Sequence, residues 1–164
     1  MPDTSLSIEQ ILAMLEAVPS RIAEFAAGLT DAQLHASPAA HEWSINEVLA
    51  HLRSCGDVWG NAIATIIRQD MPTLRAINPR TWIKGTHYLE QKFWPSLQVF
   101  TAQRAELLAI LRPLTAKSWA RSATVIGAGK TLELSVQSYA QRMTKHERPH
   151  LKQIEHIADA LRES

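Results

Sequence analysis

Lys145–Ile157 reads KHERPHLKQIEHI. His146 and His150 stand four residues apart, a spacing that turns an α-helix by about 40° and puts both imidazoles on one face, one turn apart. Around them Leu132, Val136, Tyr139, Met143, Ile154, Ile157 and Leu161 recur at helical spacing and form one apolar stripe. Both histidines lie on that stripe, where Leu or Ile would be expected. Imidazoles turned into a core need partners, because burying an unpaired polar group costs on the order of a few kcal/mol. A metal ion is the simplest partner for both.

Outward from this stretch the chain predicts further helices. Ser7 with Gln10 forms a capping-box start, followed by Ile8, Ile11, Leu12, Leu15, Ile22, Phe25 and Leu29 at helical spacing. Pro19 is expected to kink or break this helix. Thr30 with Gln33 suggests a short helical turn, and residues 37–42 a loop. Ser44 with Glu47 is a cleaner capping box and opens a long helix at Ile45, whose inward face is Ile45, Val48, Leu49, Leu52, Trp59, Ile63 and Ile66. His51 falls at the edge of that face, beside Cys55 and Val58.

Residues 70–88 read as a long connection in which Asn78 and Pro79 pair as N-cap and first helical residue. A third long helix is expected over 89–111, weakened near Pro95. Thr124-Val125-Ile126 followed by Gly127-Ala128-Gly129 predicts a short extended or hairpin-like excursion. The last helix is expected from about Leu132 to Arg162. Four long amphipathic helices with two long connections predict an all-α four-helix bundle with crossovers, one domain over residues 1–164.

Composition excludes several classes. The chain has 164 residues, 46% hydrophobic and 20% charged, with a net charge of +1 and no basic run, so no nucleic-acid footprint is present. Its single cysteine, Cys55, allows no internal disulfide. No apolar stretch is long enough for a membrane span. The opening MPDTSLSIEQ has neither a basic nor an apolar leader region, and a cytoplasmic protein is the default expectation.

Metal chemistry is what this pattern offers. Bundles build metal sites from side chains on facing helices. With His146 and His150 supplying two ligands, His51 is the best third. Three neutral imidazoles leave a coordination position open, as catalytic sites do. Zn²⁺ fits, and Ni²⁺ accepts the same ligands. Cys55, one turn from His51, is either a small apolar filler or a group that approaches the site. Trp59 and Trp94 are the tryptophans expected to line a pocket, while His35, His41 and His87 read as surface residues. Glu147 lies within the inward half of its helix, as a general base or a partner to a ligand, unless it is exposed and idle.

His146-Glu147-Arg148-Pro149-His150 is also a literal H-E-x-x-H, in which the glutamate would be a metalloprotease base. His156 even falls at the third-histidine position of the metzincin pattern. The glycine that pattern requires is Gln153 here, however, and the apolar stripe continues through Ile154, Ile157 and Leu161. In an unbroken helix His156 points about 120° away from His150.

The segment Glu42–Leu52, EWSINEVLAHL, resembles the W-S-x-x-E-V-L-x-H-L segment of the DinB-like superfamily. His146–Ile154, HERPHLKQI, is similar to its H-[DE]-x-x-H-L-x-Q-I segment. The resemblance implies a four-helix bundle of unusual crossover order with a three-histidine divalent-metal site carried by His51, His146 and His150. It implies, further, a metal-dependent hydrolase or thiol S-transferase acting on a small molecule, with a low-molecular-weight thiol as partner, and a homodimer. A metal-binding or stress-associated interaction protein without turnover is the alternative. Pro149 lacks an N–H and its ring clashes with the carbonyl of Lys145, so a kink that tilts His146 against His150 is expected.

Overall fold

A computed structural model describes residues 5–164; Met1–Thr4, which open the expected domain and the MPDTSLSIEQ segment, lie outside the described residues. Four long helices carry the bundle: α1 (Ile8–Ala26), α3 (Ile45–Arg68), α5 (Phe93–Leu111) and α7 (Val136–Glu163). Between them lie short helices α2 (Asp31–His35), α4 (Pro79–Trp82) and α6 (Ala116–Trp119), and strands β1 (Thr73–Arg75), β2 (Ser122–Ile126) and β3 (Leu132–Ser135). Among the described residues no helix is long and apolar enough to cross a membrane.

The helix starts follow local chemistry. Ser7, Thr30 and Ser44 each accept a hydrogen bond from the backbone N–H three residues on, and Gln10, Gln33 and Glu47 reach back to complete the box. Asn78 caps α4 with Pro79 as its first residue. α5 begins at Phe93, later than expected, because Pro95 belongs in a first turn, where a missing N–H costs nothing. Pro19 does not break α1, and α7 runs unbroken through Pro149, whose ring is on the solvent side.

Two expectations need correcting in the later half. The last helix starts at Val136, not Leu132, because Ser135 caps it and Leu132–Ser135 pairs as a strand with Ser122–Val125. Leu132 therefore leaves the apolar stripe and stands 40% exposed. The anticipated hairpin is real, and its turn uses Gly127 and Gly129 at φ of +92° and +76°, a region open to glycine. The long connection after α3 supplies a third strand: β1 runs parallel to β2, with Thr73 opposite Thr124 and Arg75 opposite Ile126. A three-residue strand has too little periodicity to be read from sequence.

Around the bundle, α1 packs on α5 and α7, and α3 packs on the same two. Helices consecutive along the chain, α1 then α3 and α5 then α7, are thus diagonal, and each pair needs a long crossover. This order makes α3 and α7 neighbours. Two apolar cores result. One joins Val18, Ile22, Leu49, Phe93, Phe100 and Ile154; the other joins Ile11, Leu15, Ile63, Trp119, Val125 and Met143 below the sheet. Between them the middle of the bundle is polar: His51, Arg104 and Glu147 are all buried there.

The connection after β1 is pinned to the outer side of α3. Trp82 Nε1–H and the Tyr88 hydroxyl donate to Asp57 Oδ2 at 3.0 and 2.5 Å, and Gln103 Nε2 donates to Oδ1 at 2.6 Å. Arg53 lies under the Tyr88 ring at 3.7 Å and donates to Gln91 and Ser96. Burial first, then Asp57, pushes the Tyr88 hydroxyl pKa up to about 12, so it remains a donor. These bonds place α4 against the mouth of the histidine cluster.

Candidate metal centre

The crossover order brings His51 and Cys55, one turn apart on α3, against His146 and His150, one turn apart on α7. The three imidazole centroids lie 4.6 to 5.0 Å from one another. Nε2 of His51 faces Nε2 of His146 at 3.2 Å, and Cys55 Sγ lies 3.6 Å from the same His51 nitrogen. Donor atoms of His51, Cys55 and His146 all fall within 4.8 Å of one another. Around a tetrahedral zinc with bonds of about 2.0–2.1 Å to nitrogen and 2.3 Å to sulfur, donor atoms lie about 3.3 and 3.6 Å apart. The His51, Cys55 and His146 donors therefore fit a divalent cation; His150 is not in that set and adjoins it by its ring, 4.9 and 4.6 Å from those of His51 and His146.

Protonation and hydrogen bonding favour the same chemistry. Burial, followed by the neighbouring imidazoles and then the charge of Arg80, lowers the pKa of His51 to about 4. His146 is lowered to about 4 as well, by burial, then His150, then Arg80. Both are neutral near pH 7, the form that ligates metals. Of two neutral imidazoles meeting through Nε2 atoms, only one supplies a hydrogen, and Nδ1 of His146 is buried with no partner among the described residues. His150 pairs its Nδ1 with Gln153 Oε1 at 2.9 Å. That amide oxygen selects the tautomer with hydrogen on Nδ1 and a lone pair on Nε2, the usual arrangement behind a ligating histidine. The Cys55 thiol is buried, and burial, then Glu147, pushes its pKa up to about 12.

Pro149 does not separate the histidines: their ring centroids are 4.6 Å apart. Its exposed position lets the helix lose one N–H without burying a gap.

Glu147 is neither exposed nor open to the cluster. It is 1% exposed, and both carboxylate oxygens are held by the Arg104 guanidinium, Oε1 by Nη1 at 3.1 Å and Oε2 by Nη2 in a shorter contact. One residue past His146, the helix has turned by about 100°, toward α5. Burial raises the carboxyl pKa, and the charge of Arg104 works against it. His156 is exposed on the rim rather than in the cluster, so the protease-like arrangement lacks both its third histidine and a free glutamate.

Trp59 meets His146 edge-on at 5.0 Å and lines a cleft of about 470 Å³ between α3, α7 and the sheet. Trp94, by contrast, is 39% exposed and packs its ring on Phe93, because it falls in the outward first turn of α5. The tryptophan that reaches the site is Trp43, just before the Ser44 cap. Its ring lies 5.1 Å from that of His51 and stacks within 14° of parallel on His150 at 6.3 Å. Arg80 on α4 sits over Trp43 at 5.3 Å. Sequence reading missed both residues; the position of Trp43 within the EWS segment was its only signal, and Arg80 had none.

The chain matches the family model described as the DinB superfamily over residues 14–154. Among solved structures it resembles YfiT from Bacillus subtilis, described as a probable metal-dependent hydrolase with an unusual four-helix bundle topology. The TM-score is 0.80 at 19% identity, covering 98% of this chain and 93% of that one. Comparison with curated proteins gives no match. With most of its length matched by the family model, the chain belongs to the DinB superfamily.

Proposed function

We propose that this protein holds one divalent cation, zinc or nickel, through His51, His146 and His150, and acts on a small molecule as a hydrolase or thiol S-transferase. The convergence of three imidazoles from two helices, with two ligating nitrogens 3.2 Å apart, carries this reading. The description of YfiT as a metal-dependent hydrolase supports it. A cation bound there supplies Lewis acidity, which lowers the pKa of water or a thiol toward neutrality. The protein's own groups prepare the site. Gln153 fixes the tautomer of His150. Trp43 and Trp59 wall the imidazoles and limit access of water. Glu147 stands apart from this chemistry: its carboxylate is held by Arg104 and ties α7 to α5.

A second reading rests on Cys55. With its sulfur 3.6 Å from His51 Nε2, it could close the sphere as a fourth ligand and leave a structural, non-catalytic metal. Elemental mass spectrometry on purified protein, beside His51→Ala and His150→Ala, tests the site. Near-stoichiometric metal in the native protein and loss in both variants is expected. Native protein that stays empty after incubation with Zn²⁺ and Ni²⁺ defeats the proposal. Cobalt substitution separates the two readings: a thiolate-to-metal charge-transfer band lost in Cys55→Ser favours the closed site, and its absence favours the open one. Hydrolysis and thiol-transfer screens follow in the latter case.

A further inference from the structure

We infer that the substrate of this site carries an oxyanion, a carboxylate or phosphoryl group, and that Arg80 is the residue that binds it. The inference rests on the metal reading for the reaction and on separate observations for the anion. Arg80 lines two openings onto the cluster. One is a cleft of about 580 Å³ that it shares with Trp43, His150 and Gln153. The other is a smaller opening of about 180 Å³ shared with Trp43, Glu47 and His51. Its guanidinium is thus in the wall of both approaches, one indole ring away from the two histidines that Trp43 touches.

The Arg80 charge has no ion-pair partner among the described residues. Ion pairs among the described residues are His87–Glu90, Arg104–Glu147, Arg112–Glu16 and Arg162–Asp159, and Arg80 is in none of them. Two carboxylates line the same openings. Glu47 is occupied by the N-terminal cap of α3, accepting the Ser44 N–H at 3.1 Å. Glu42 is exposed on the rim and pairs with no cation in that set. The Arg80 charge reaches His51, His146 and Cys55, adding to the burial that holds the imidazoles neutral.

An arginine offers a planar fork of donors that matches carboxylate and phosphate. Arg80 also stands on a rigid mount. Asn78 Oδ1 accepts the Arg80 N–H at 2.9 Å, and Trp82 anchors the same turn to Asp57. The Arg80 backbone is thus fixed while its exposed side chain reaches over Trp43; beside the proposed cation, and with no ion-pair partner among the described residues, its guanidinium suits an anionic ligand. A neutral substrate would leave that charge unused.

The test uses the full chain labelled with ¹⁵N, metal-free and zinc-loaded. It is titrated with succinate, inorganic phosphate, and the neutral counterpart succinamide, with the Trp43 indole N–H resonance as the reporter, assigned through Trp43→Phe. Succinate and phosphate are expected to shift that resonance in both forms, and succinamide is not. Arg80→Gln should raise the Kd of both anions at least about tenfold in the metal-free protein, the low end for a hydrogen bond to a charged group. Its zinc content should be unchanged. Arg80→Lys should keep part of the affinity, and Glu42→Gln should tighten binding about twofold. Equal anion affinity in native protein and Arg80→Gln, or equal shifts with succinamide, overturns the inference while leaving the metal centre intact. Arg80-dependent anion binding in a protein that takes up no metal upholds the subsite and overturns the metal reading instead.

Discussion

His146 and Glu147 are neighbours in sequence, and both belong to the polar layer in the middle of the bundle, yet they meet opposite conditions. Glu147 turns toward α5 and finds Arg104, which neutralises its charge and occupies both of its oxygens. That pair is complete within the fold. His146 turns toward α3 and finds another neutral imidazole at 3.2 Å and, among the described residues, no partner for its Nδ1. This cluster is rich in lone pairs, which is what the proposed cation would use. On that reading the difference separates a buried polar group that holds the structure from one that serves a ligand.

The sharpest way to break the comparison is to exchange the losses. Glu147→Gln leaves Arg104 charged and unpaired, and removing one partner of a buried pair costs about 3–5 kcal/mol. For a chain of this size that lowers the melting temperature on the order of 10 °C. Metal stoichiometry should persist, read by elemental analysis on folded protein. His146→Ala should do the reverse, abolishing metal while costing less stability. If Glu147→Gln melted like the native protein but lost its metal, the glutamate would belong to the centre after all.

Zinc itself should stabilise the native state. At free zinc about 100 times the dissociation constant the gain is about 2.7 kcal/mol. Calorimetry should record a rise of several degrees in native protein and in Glu147→Gln, and none in His146→Ala.

A smaller effect is expected from Gln153→Ala, which removes the acceptor behind His150 Nδ1. Loss of such a partner weakens metal affinity about 10- to 100-fold, measurable by competition with a chromogenic chelator. An unchanged affinity would mean that His150 is oriented by the Trp43 stack alone.

The smallest effect is on pH. In metal-free protein His51 and His146 titrate near 4 rather than at their ordinary 6.5. Between those values the unfolded chain binds protons that the folded chain refuses. Their contribution is therefore full above about pH 6.5 and declines as the pH falls toward 4. Urea midpoints from pH 8 to 4.5 should show that decline, and His51→Ala should flatten it. A slope unaffected by that substitution would place the titration elsewhere.

Much of this was legible in the chain, because its signals are local. Capping boxes at Ser7, Thr30 and Ser44 depend on residues three apart, and the histidine pairs on one face depend on helical geometry alone. The errors arose where tertiary packing overrides local rules. Pro19 does not break α1, because the packing of the bundle outweighs one missing hydrogen bond. Leu132 fits the helical stripe, yet pairs as a strand because Ser135 offers a stronger start. Trp94 and Trp43 could not be ranked by sequence, since which tryptophan meets the site depends on where two helix ends lie in space.

The sequence by itself determined four long helices, the starts of the first two at Ser7 and Ser44, and that His51, His146 and His150 point inward, since each follows from periodicity and neighbours a few residues apart. Only the tertiary structure decided that α3 and α7 are adjacent, that Glu147 belongs to Arg104 and that Arg80 overlooks the cluster. Those contacts join residues tens of positions apart, and their pairing depends on which diagonal each crossover takes.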